Sequence, residues 1–309
     1  MTRNAWFLLA LVAILGLGLT VYGRSTPGGA IPVLSAAPAV EEISLIDLTQ
    51  VRPSVTVATP TIEPIATVTP TATIELTPVV ESIDRLVFAV VGDSRRDTKL
   101  YTELLDKVVE DGNMFLVNTG DLVERGTQEN FVTFQQLMAD FPLPFYPVPG
   151  NHDVGTGGSL MNFLAFSGAP APHYSFDVGA AHFTMANSAS GHLRREELDW
   201  IDRDLAATER PVKFVFLHHP PFDPDGTDHI LQSGNDAFMA LMQKHGVAYV
   251  FAGHIHAYSQ AVSNGTMYVI SGGGGAPLYY KDHPTVFYHY IQVTVDGSQV
   301  RTEVVEVVP

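Results

Sequence analysis

Five short polar clusters in this 309-residue sequence have the residue types of a metal centre. They are Asp93, Asp121, Asn151 with His152, His218 with His219, and His254 with His256, each following an apolar run that reads as a strand. Two carboxylates, an amide oxygen and several imidazoles suit borderline divalent ions such as Mn, Fe or Zn. Where two such ions sit about 3.5–4 Å apart, one polarises an ester and the other presents hydroxide derived from water. Asp121 is the candidate to bridge them. His254 and His256 are two residues apart, so on an extended strand end they would share one side, with Ile255 facing away.

Taken singly, each cluster has a plainer reading. Asp93 could cap a helix, Asn151 could close an Asx-turn, and the histidines could simply satisfy hydrogen bonds. Their recurrence at five strand ends argues otherwise, because ligands of open α/β sheets gather beyond the C-terminal ends of the strands. Composition narrows the chemistry further. Cysteine is absent, so disulfides and thiolate catalysis are excluded and any ion must be held by oxygen and imidazole. Lys plus Arg number 17 against 33 Asp plus Glu, a net charge of −16 that opposes non-specific nucleic-acid binding. A small phosphate-containing substrate remains compatible, because bound cations reverse the local charge.

The elements that must position these residues follow from periodicity. Leu86 to Val91 is a continuous apolar run, as in a buried parallel strand. Leu100, Leu104, Leu105, Val108 and Val109 recur at helical spacing. Strands are predicted over Met114 to Asp121, from Phe145 to an end at Asn151, and on either side of Gly179. Helices are predicted around Asn130 to Ala139, over Leu193 to Leu205, and from about Asp236 to Lys244. Apolar strands run into His218 and into His254, and the tail alternates like antiparallel strands. The result is an α/β fold with two packed mixed β-sheets flanked by helices.

The N-terminal part has a different character. Arg3 precedes an uncharged stretch whose apolar run, Ala5 to Tyr22, would span about 27 Å as a helix. Residues 1–24 read as a signal anchor or a signal peptide, and no small-x-small cleavage site directly follows Tyr22, which favours the anchor. Residues 25–82 form a Pro/Thr-rich linker, and 83–309 the catalytic domain. The expectation is a single-pass protein of the cell membrane with its domain extracellular or periplasmic, or a secreted one if the signal is cleaved.

Gly92 to Arg95 (GDSR), Gly120 to Gly126 (GDLVERG), Gly150 to Asp153 (GNHD), His218 in FLHHPPF and Gly253 to His256 (GHIH) resemble, in order, the motifs of the calcineurin-like metallophosphoesterases. The texts REELDWIDRDL and SGGGGAP are similar to members close to the purple acid phosphatases. The resemblance, over Leu86 to Val308, implies a four-layer sandwich that hydrolyses phosphomonoesters or phosphodiesters with a hydroxide activated by two divalent or mixed-valence ions. It implies a site one of Asp93, Asp121 and His256, and a site two of Asp121, Asn151, His218 and His254. His152 would donate a proton to the leaving oxygen or stabilise developing charge, with Asp153 orienting it.

The chain departs from the pattern at Arg95, where many members carry a histidine that completes site one. A guanidinium cannot ligate a metal. Glu124 stands where the purple acid phosphatases carry a tyrosine, so a tyrosinate–iron centre is not expected. Arg95 is instead expected to grip substrate phosphate, or to leave water to complete the ion's shell. The lost ligand is also the best support for an alternative, a catalytically weak, surface-anchored binding module; a membrane-tethered structural protein is a third. His219 could line the pocket, and His229, His283 and Tyr279 could shape access. His173, His182, His192, His245 and His289 are expected to be structural or exposed. Gly272 to Gly275 read better as close packing beneath the metal site than as a phosphate nest, and Phe287, Tyr288 and Tyr290 as residues of strand faces.

Overall fold

The apolar run after Arg85 becomes β1 (Arg85–Val91), and Phe88 to Val91 are completely buried because the strand lies inside a sheet covered on both faces. The computed structural model describes residues 85–222, 226, 229–279 and 284–308, all within the unit Glu75–Pro309. The N-terminal apolar segment, the linker and His283 lie outside the described residues. After β1 come α1 (Thr98–Glu110), β2 (Leu116–Asn118), α2 (Gln128–Met138), β3 (Phe145–Pro147), α3 (Met161–Phe166), β4 (Tyr174–Val178) and β5 (Ala181–Met185). They are followed by α4 (Arg195–Ala207), β6 (Val212–Phe216), α5 (Asn235–His245), β7 (Tyr249–Ala252), β8 (Tyr258–Ser263), β9 (Thr266–Ser271), β10 (His289–Asp296) and β11 (Gln299–Glu306).

One sheet has the order β11-β10-β1-β2-β3, the other β4-β5-β6-β7-β9-β8. Strands β1, β2 and β3 run parallel, as do β5, β6, β7 and β9, while β4 and β8 are antiparallel edges of the second sheet. The tail strands β10 and β11 pair antiparallel and add to β1, as their alternation predicts. Phe88, Phe115, Phe183, Phe214, Phe216 and Phe251 fill the space between the sheets. Outside, Leu100, Leu104 and Val108 of α1 close one sheet with α2, and Ile201 and Leu205 of α4 close the other with Phe238 and Met242 of α5. Two mixed sheets flanked by helices is the architecture expected.

Two elements went unpredicted. β8 carries Ser and Gln between small apolar residues, and α3 is only six residues long, so neither holds a full hydrophobic period. The strands predicted to run into Asp121 and Asn151 stop sooner, at Asn118 and Pro147, because the chain must leave the sheet to form the ligand loops. Among the described residues no helix is long and apolar enough to cross a membrane.

Candidate metal centre

The five polar clusters converge where the C-terminal ends of β1, β2, β3, β6 and β7 meet across the two sheets. Asp93, Asp121 and His254 each adopt a left-handed backbone, with φ of 58°, 59° and 69°. That conformation is unfavourable for residues with a Cβ, so strain is concentrated at candidate ligands. His254 and His256 therefore do not share one side of a strand: β7 ends at Ala252, and Ile255 and Ala257 donate to carbonyls two residues back, at 2.8 and 2.7 Å. The tight turn still aims both imidazoles at the centre, one at each sheet's ligands. Glycine allows the approach. A Cβ on Gly150 would strike the Asp121 backbone and carboxylate, and one on Gly272 would strike the Ile255 carbonyl, so the SGGGGAP run serves close packing beneath the site.

His218 organises one half. Its Nδ1 lies 2.8 Å from the Thr119 carbonyl, which can only accept, so in the neutral ring Nδ1 carries the proton and Nε2 presents a lone pair. Around Nε2 stand Asn151 Oδ1 at 3.0 Å, His254 Nδ1 at 3.2 Å and Asp121 Oδ1 at 3.3 Å. The two oxygens have no proton to give, so these lone pairs repel one another unless a cation lies among them. Burial first, then the neighbouring His218 and His219, push the pKa of His254 well down, which keeps it neutral and able to ligate. These residues fit a divalent ion.

Asp93 and His256 form the other half, and both are almost wholly buried. His256 donates Nδ1–H to the Pro277 carbonyl at 2.6 Å, and its Nε2 lies 3.4 Å from Asp93 Oδ1. Neither of these facing atoms has a hydrogen-bond partner, as ligand atoms of an ion would not. Burial opposes the charged forms, but their mutual attraction prevails, holding Asp93 below and His256 above their ordinary values. The other Asp93 oxygen accepts the His254 N–H at 2.8 Å, tying the sheets together. Ligand atoms of Asp93, Asp121 and His218 lie within 4.8 Å of one another, so the halves are contiguous through Asp121.

The remaining expected residues are placed as follows. Arg95 is buried beside Asp121, with Nε 3.4 Å from Oδ2, and its Nη1 meets Glu124 at 2.8 Å. His152 sits at the rim: its ring Nδ1 donates to the Glu124 carbonyl at 2.7 Å and its Nε2 is 3.9 Å from Asp121 Oδ2. Asp153 does not orient the His152 ring, which the Glu124 carbonyl holds; its carboxylate accepts backbone N–H groups of Asp121, Leu122, Val123 and Gly150 instead. Burial first, and then the Asp121 carboxylate, push the Asp153 pKa up against the pull of those donors.

His219 packs against His254 with ring centroids 4.0 Å apart, and its ligand atom joins those of His218 and His254 within 4.8 Å. Burial and His218 lower its pKa to about 3. Tyr279 stacks on His256 at 4.2 Å, and His229 lies near both Tyr279 and His254. His173, His182 and His245 are engaged by Glu197, by Asp177 and Asp204, and by Asp202, as structural histidines are. Tyr290 lies on β10, whereas Phe287 and Tyr288 precede that strand. Ser188, whose Oγ accepts the N–H of both His218 and His219 at 2.9 Å, escaped sequence reading, as did the Thr119 and Pro277 carbonyls. Nothing in a backbone carbonyl's residue type announces it.

Two mixed sheets under helices, with carboxylate, amide and imidazole ligands at their joint C-terminal edge, define a metal-binding α/β-sandwich protein. Residues 86–258 match the profile of the calcineurin-like phosphoesterases, and the chain belongs to that family. It is 30% identical over 149 residues to a 3',5'-cyclic-nucleotide phosphodiesterase of Nostoc, covering 46% of this chain and 55% of that protein. It is 29% identical over 157 residues to purple acid phosphatase 15 of Arabidopsis thaliana, covering 43% of this chain and 30% of that protein. These matches thus span little more than half of one relative and under a third of the other. The fold is similar to a purple acid phosphatase from yellow lupin, with TM-score 0.62 and 17% identity over 72% of this chain and 51% of that one.

Proposed function

We propose that the chain hydrolyses small phosphomonoesters or phosphodiesters at a two-metal centre, outside the cytoplasm. The observation that carries this reading is the convergence of Asn151 Oδ1, Asp121 Oδ1 and His254 Nδ1 on the His218 Nε2 lone pair within 3.3 Å. Family membership supports it, as do relatives named as a cyclic-nucleotide phosphodiesterase and a purple acid phosphatase. Asp93, Asp121 and His256 would hold one ion, and Asp121, Asn151, His218 and His254 the other. Such ions supply Lewis acidity and make water a competent nucleophile near neutral pH.

The chain's own side chains do the rest. The Arg95 guanidinium offsets negative charge on the phosphoryl group. His152, fixed through Nδ1 by the Glu124 carbonyl, presents Nε2 at the rim, where a proton on it reaches the leaving oxygen. A cavity of about 640 Å³ opens beside Asn151, lined in part by Asn187, Ser190, His192 and Arg194, and gives the leaving group room.

The test is metal removal from the full-length chain, followed by separate addition of Mn, Fe, Zn, Ca or Mg and assay on aryl phosphomonoesters and phosphodiesters. Metal-restored turnover that disappears in Asn151→Ala and His254→Ala is the expected result. Tight ligand binding without turnover under any metal would instead favour the binding module, a reading that the loss of a site-one ligand at Arg95 supports. Anchoring through Ala5 to Tyr22 predicts that the chain stays with membranes after a high-salt wash. Recovery in the soluble fraction would refute the anchor.

A further inference from the structure

We propose that Arg95 makes the two ion sites unequal: site two holds the resident ion, and site one fills only at much higher metal concentration. This rests on the phosphoesterase reading above and adds an order of loading to it. The starting observation is that the two oxygens of Asp121 face different neighbours. Oδ1 faces the His218 imidazole at 3.3 Å, on the side of Asn151 and His254. Oδ2 faces Arg95 Nε at 3.4 Å, a buried N–H with no hydrogen-bond partner. The carboxylate that the two sites would share is therefore already beside a fixed cation.

That cation is not free to leave. The Arg95 side chain is 8% exposed, and its Nη1 is held by Glu124 Oε2 at 2.8 Å. Glu124 is in turn gripped by Arg96, through Nε at 2.7 Å and Nη2 at 2.6 Å. The Arg96 hydrogen bonds keep Glu124 ionised by lowering its pKa to about 2, so the anchor persists across the working pH range. Swinging Arg95 away would break its half-buried ion pair with Glu124 and its buried contact with Asp121, and leave Glu124 with Arg96 alone.

Donor supply is unequal as well. Site one has three side-chain donors against four for site two. Asp93 Oδ1, which has no hydrogen-bond partner, is its readiest oxygen, while Asp93 Oδ2 accepts the His254 N–H and Asp121 Oδ1 likewise accepts that of His152. With His256 Nε2 and a share of the Asp121 carboxylate, which Arg95 contests, that makes a poorer set than the carboxylate, amide and two imidazoles of site two. A second divalent ion must also overcome the charge of the first together with that of the guanidinium, in a buried setting where repulsion is weakly screened. The two departures from the family motifs, Arg95 and Glu124, are thus a single interaction. It puts an ion pair where further ligands for site one would stand.

The experiment is Mn²⁺ titration of the metal-stripped full-length chain by equilibrium dialysis, with bound metal counted by mass spectrometry and the spin state read by low-temperature electron paramagnetic resonance. The wild type should bind one ion tightly with the signal of an isolated Mn²⁺, and a second at least about tenfold more weakly. Arg95→His, which replaces the cation with a ligand, should bring the second ion within about tenfold of the first and give a spin-coupled pair. Arg95→Gln, which removes the charge but adds no imidazole, should tighten the second ion alone, and it decides the matter if Arg95→His does not fold by circular dichroism. Two equal sites in the wild type, or an unmoved second isotherm in the folded variants, would overturn the inference while leaving the phosphoesterase reading intact. No bound ion at any concentration would overturn both.

Discussion

Asp153 holds Asp121 through its backbone: one carboxylate oxygen accepts the N–H of Asp121 at 2.9 Å and of Gly150 at 2.8 Å, and the other accepts those of Leu122 and Val123. A single buried carboxylate thus locks the loop after β2 to the loop after β3, and both loops carry candidate ligands. Asp153→Ala strands those amides and should cost about 3 kcal/mol or more in urea denaturation of the metal-free chain. Loss of this support should also weaken Mn²⁺ binding by about 10- to 100-fold. Asp153→Asn, which keeps the shape but turns one acceptor into a donor, should fall between. An unchanged denaturation midpoint in Asp153→Ala would show that the loops hold themselves.

The role proposed for His152 is to give up a proton and not to bind an ion. Its Nδ1–H donates to the Glu124 carbonyl at 2.7 Å, so Nε2 is the nitrogen that faces the centre, 3.9 Å from Asp121 Oδ2. His152→Ala should lower kcat by about 10²- to 10⁴-fold on alkyl phosphoesters, the usual range for a lost general acid. On 4-nitrophenyl esters, whose leaving group needs little protonation, the loss should be much smaller. An equal loss on both substrates would assign His152 to charge stabilisation instead.

The five ligand clusters were legible because the strands before them are apolar and each ends abruptly in residues that coordinate metals. Helices α1 and α4 were legible for a similar reason: Leu100, Leu104, Leu105 and Val108, like Ile201 and Leu205, keep a strict helical period and are buried. What could not be read is how the loops turn. The left-handed backbone of His254 replaces the extended geometry expected of GHIH, because Asp93 Oδ2 captures its N–H from the other sheet. Asp153 was expected beside the His152 ring, its neighbour in sequence. Backbone amides outcompete that ring, since they are buried and have no other partner. Contacts of this kind depend on tertiary folding and leave no periodic trace.

Phe183 lies at the centre of the packing between the sheets, within ring-contact distance of Phe88, Phe115, Phe176, Phe214 and Phe216. It is completely buried, and its neighbours belong to both sheets, so the gap left by a smaller residue cannot be closed by moving one strand. Phe183→Ala should destabilise the domain by about 3–5 kcal/mol, and Phe183→Leu by much less, in chemical denaturation. A Phe183→Ala cost below about 1 kcal/mol would mean that the sheets can close over the cavity.

His182 gives the domain a pH-dependent clasp away from the metal centre. Its Nδ1 meets Asp177 at 2.7 Å and its Nε2 meets Asp204 at 3.0 Å, joining β4, β5 and α4. Burial works against the charged ring, but the hydrogen bonds to Asp204 and Asp177 prevail and raise the pKa above 6.5. Burial is the largest single influence on both carboxylates and opposes their ionisation, but both sit below 3.8, because the bonds from His182 act together with Arg210 on Asp177 and with Ser175 and Thr184 on Asp204. A raised histidine stabilises fully below its unfolded value and loses that contribution as pH rises through the folded one. The depressed carboxylates contribute above 3.8 and lose their share as pH falls. The clasp is therefore complete between pH 3.8 and 6.5 and weakens on either side. His182→Gln should cost about 1 kcal/mol in that window, because Asp177 is 40% exposed and screened by solvent. The gap between wild type and variant should narrow toward pH 9 in urea denaturation, and a gap that widened there would mean that His182 is held as the neutral ring.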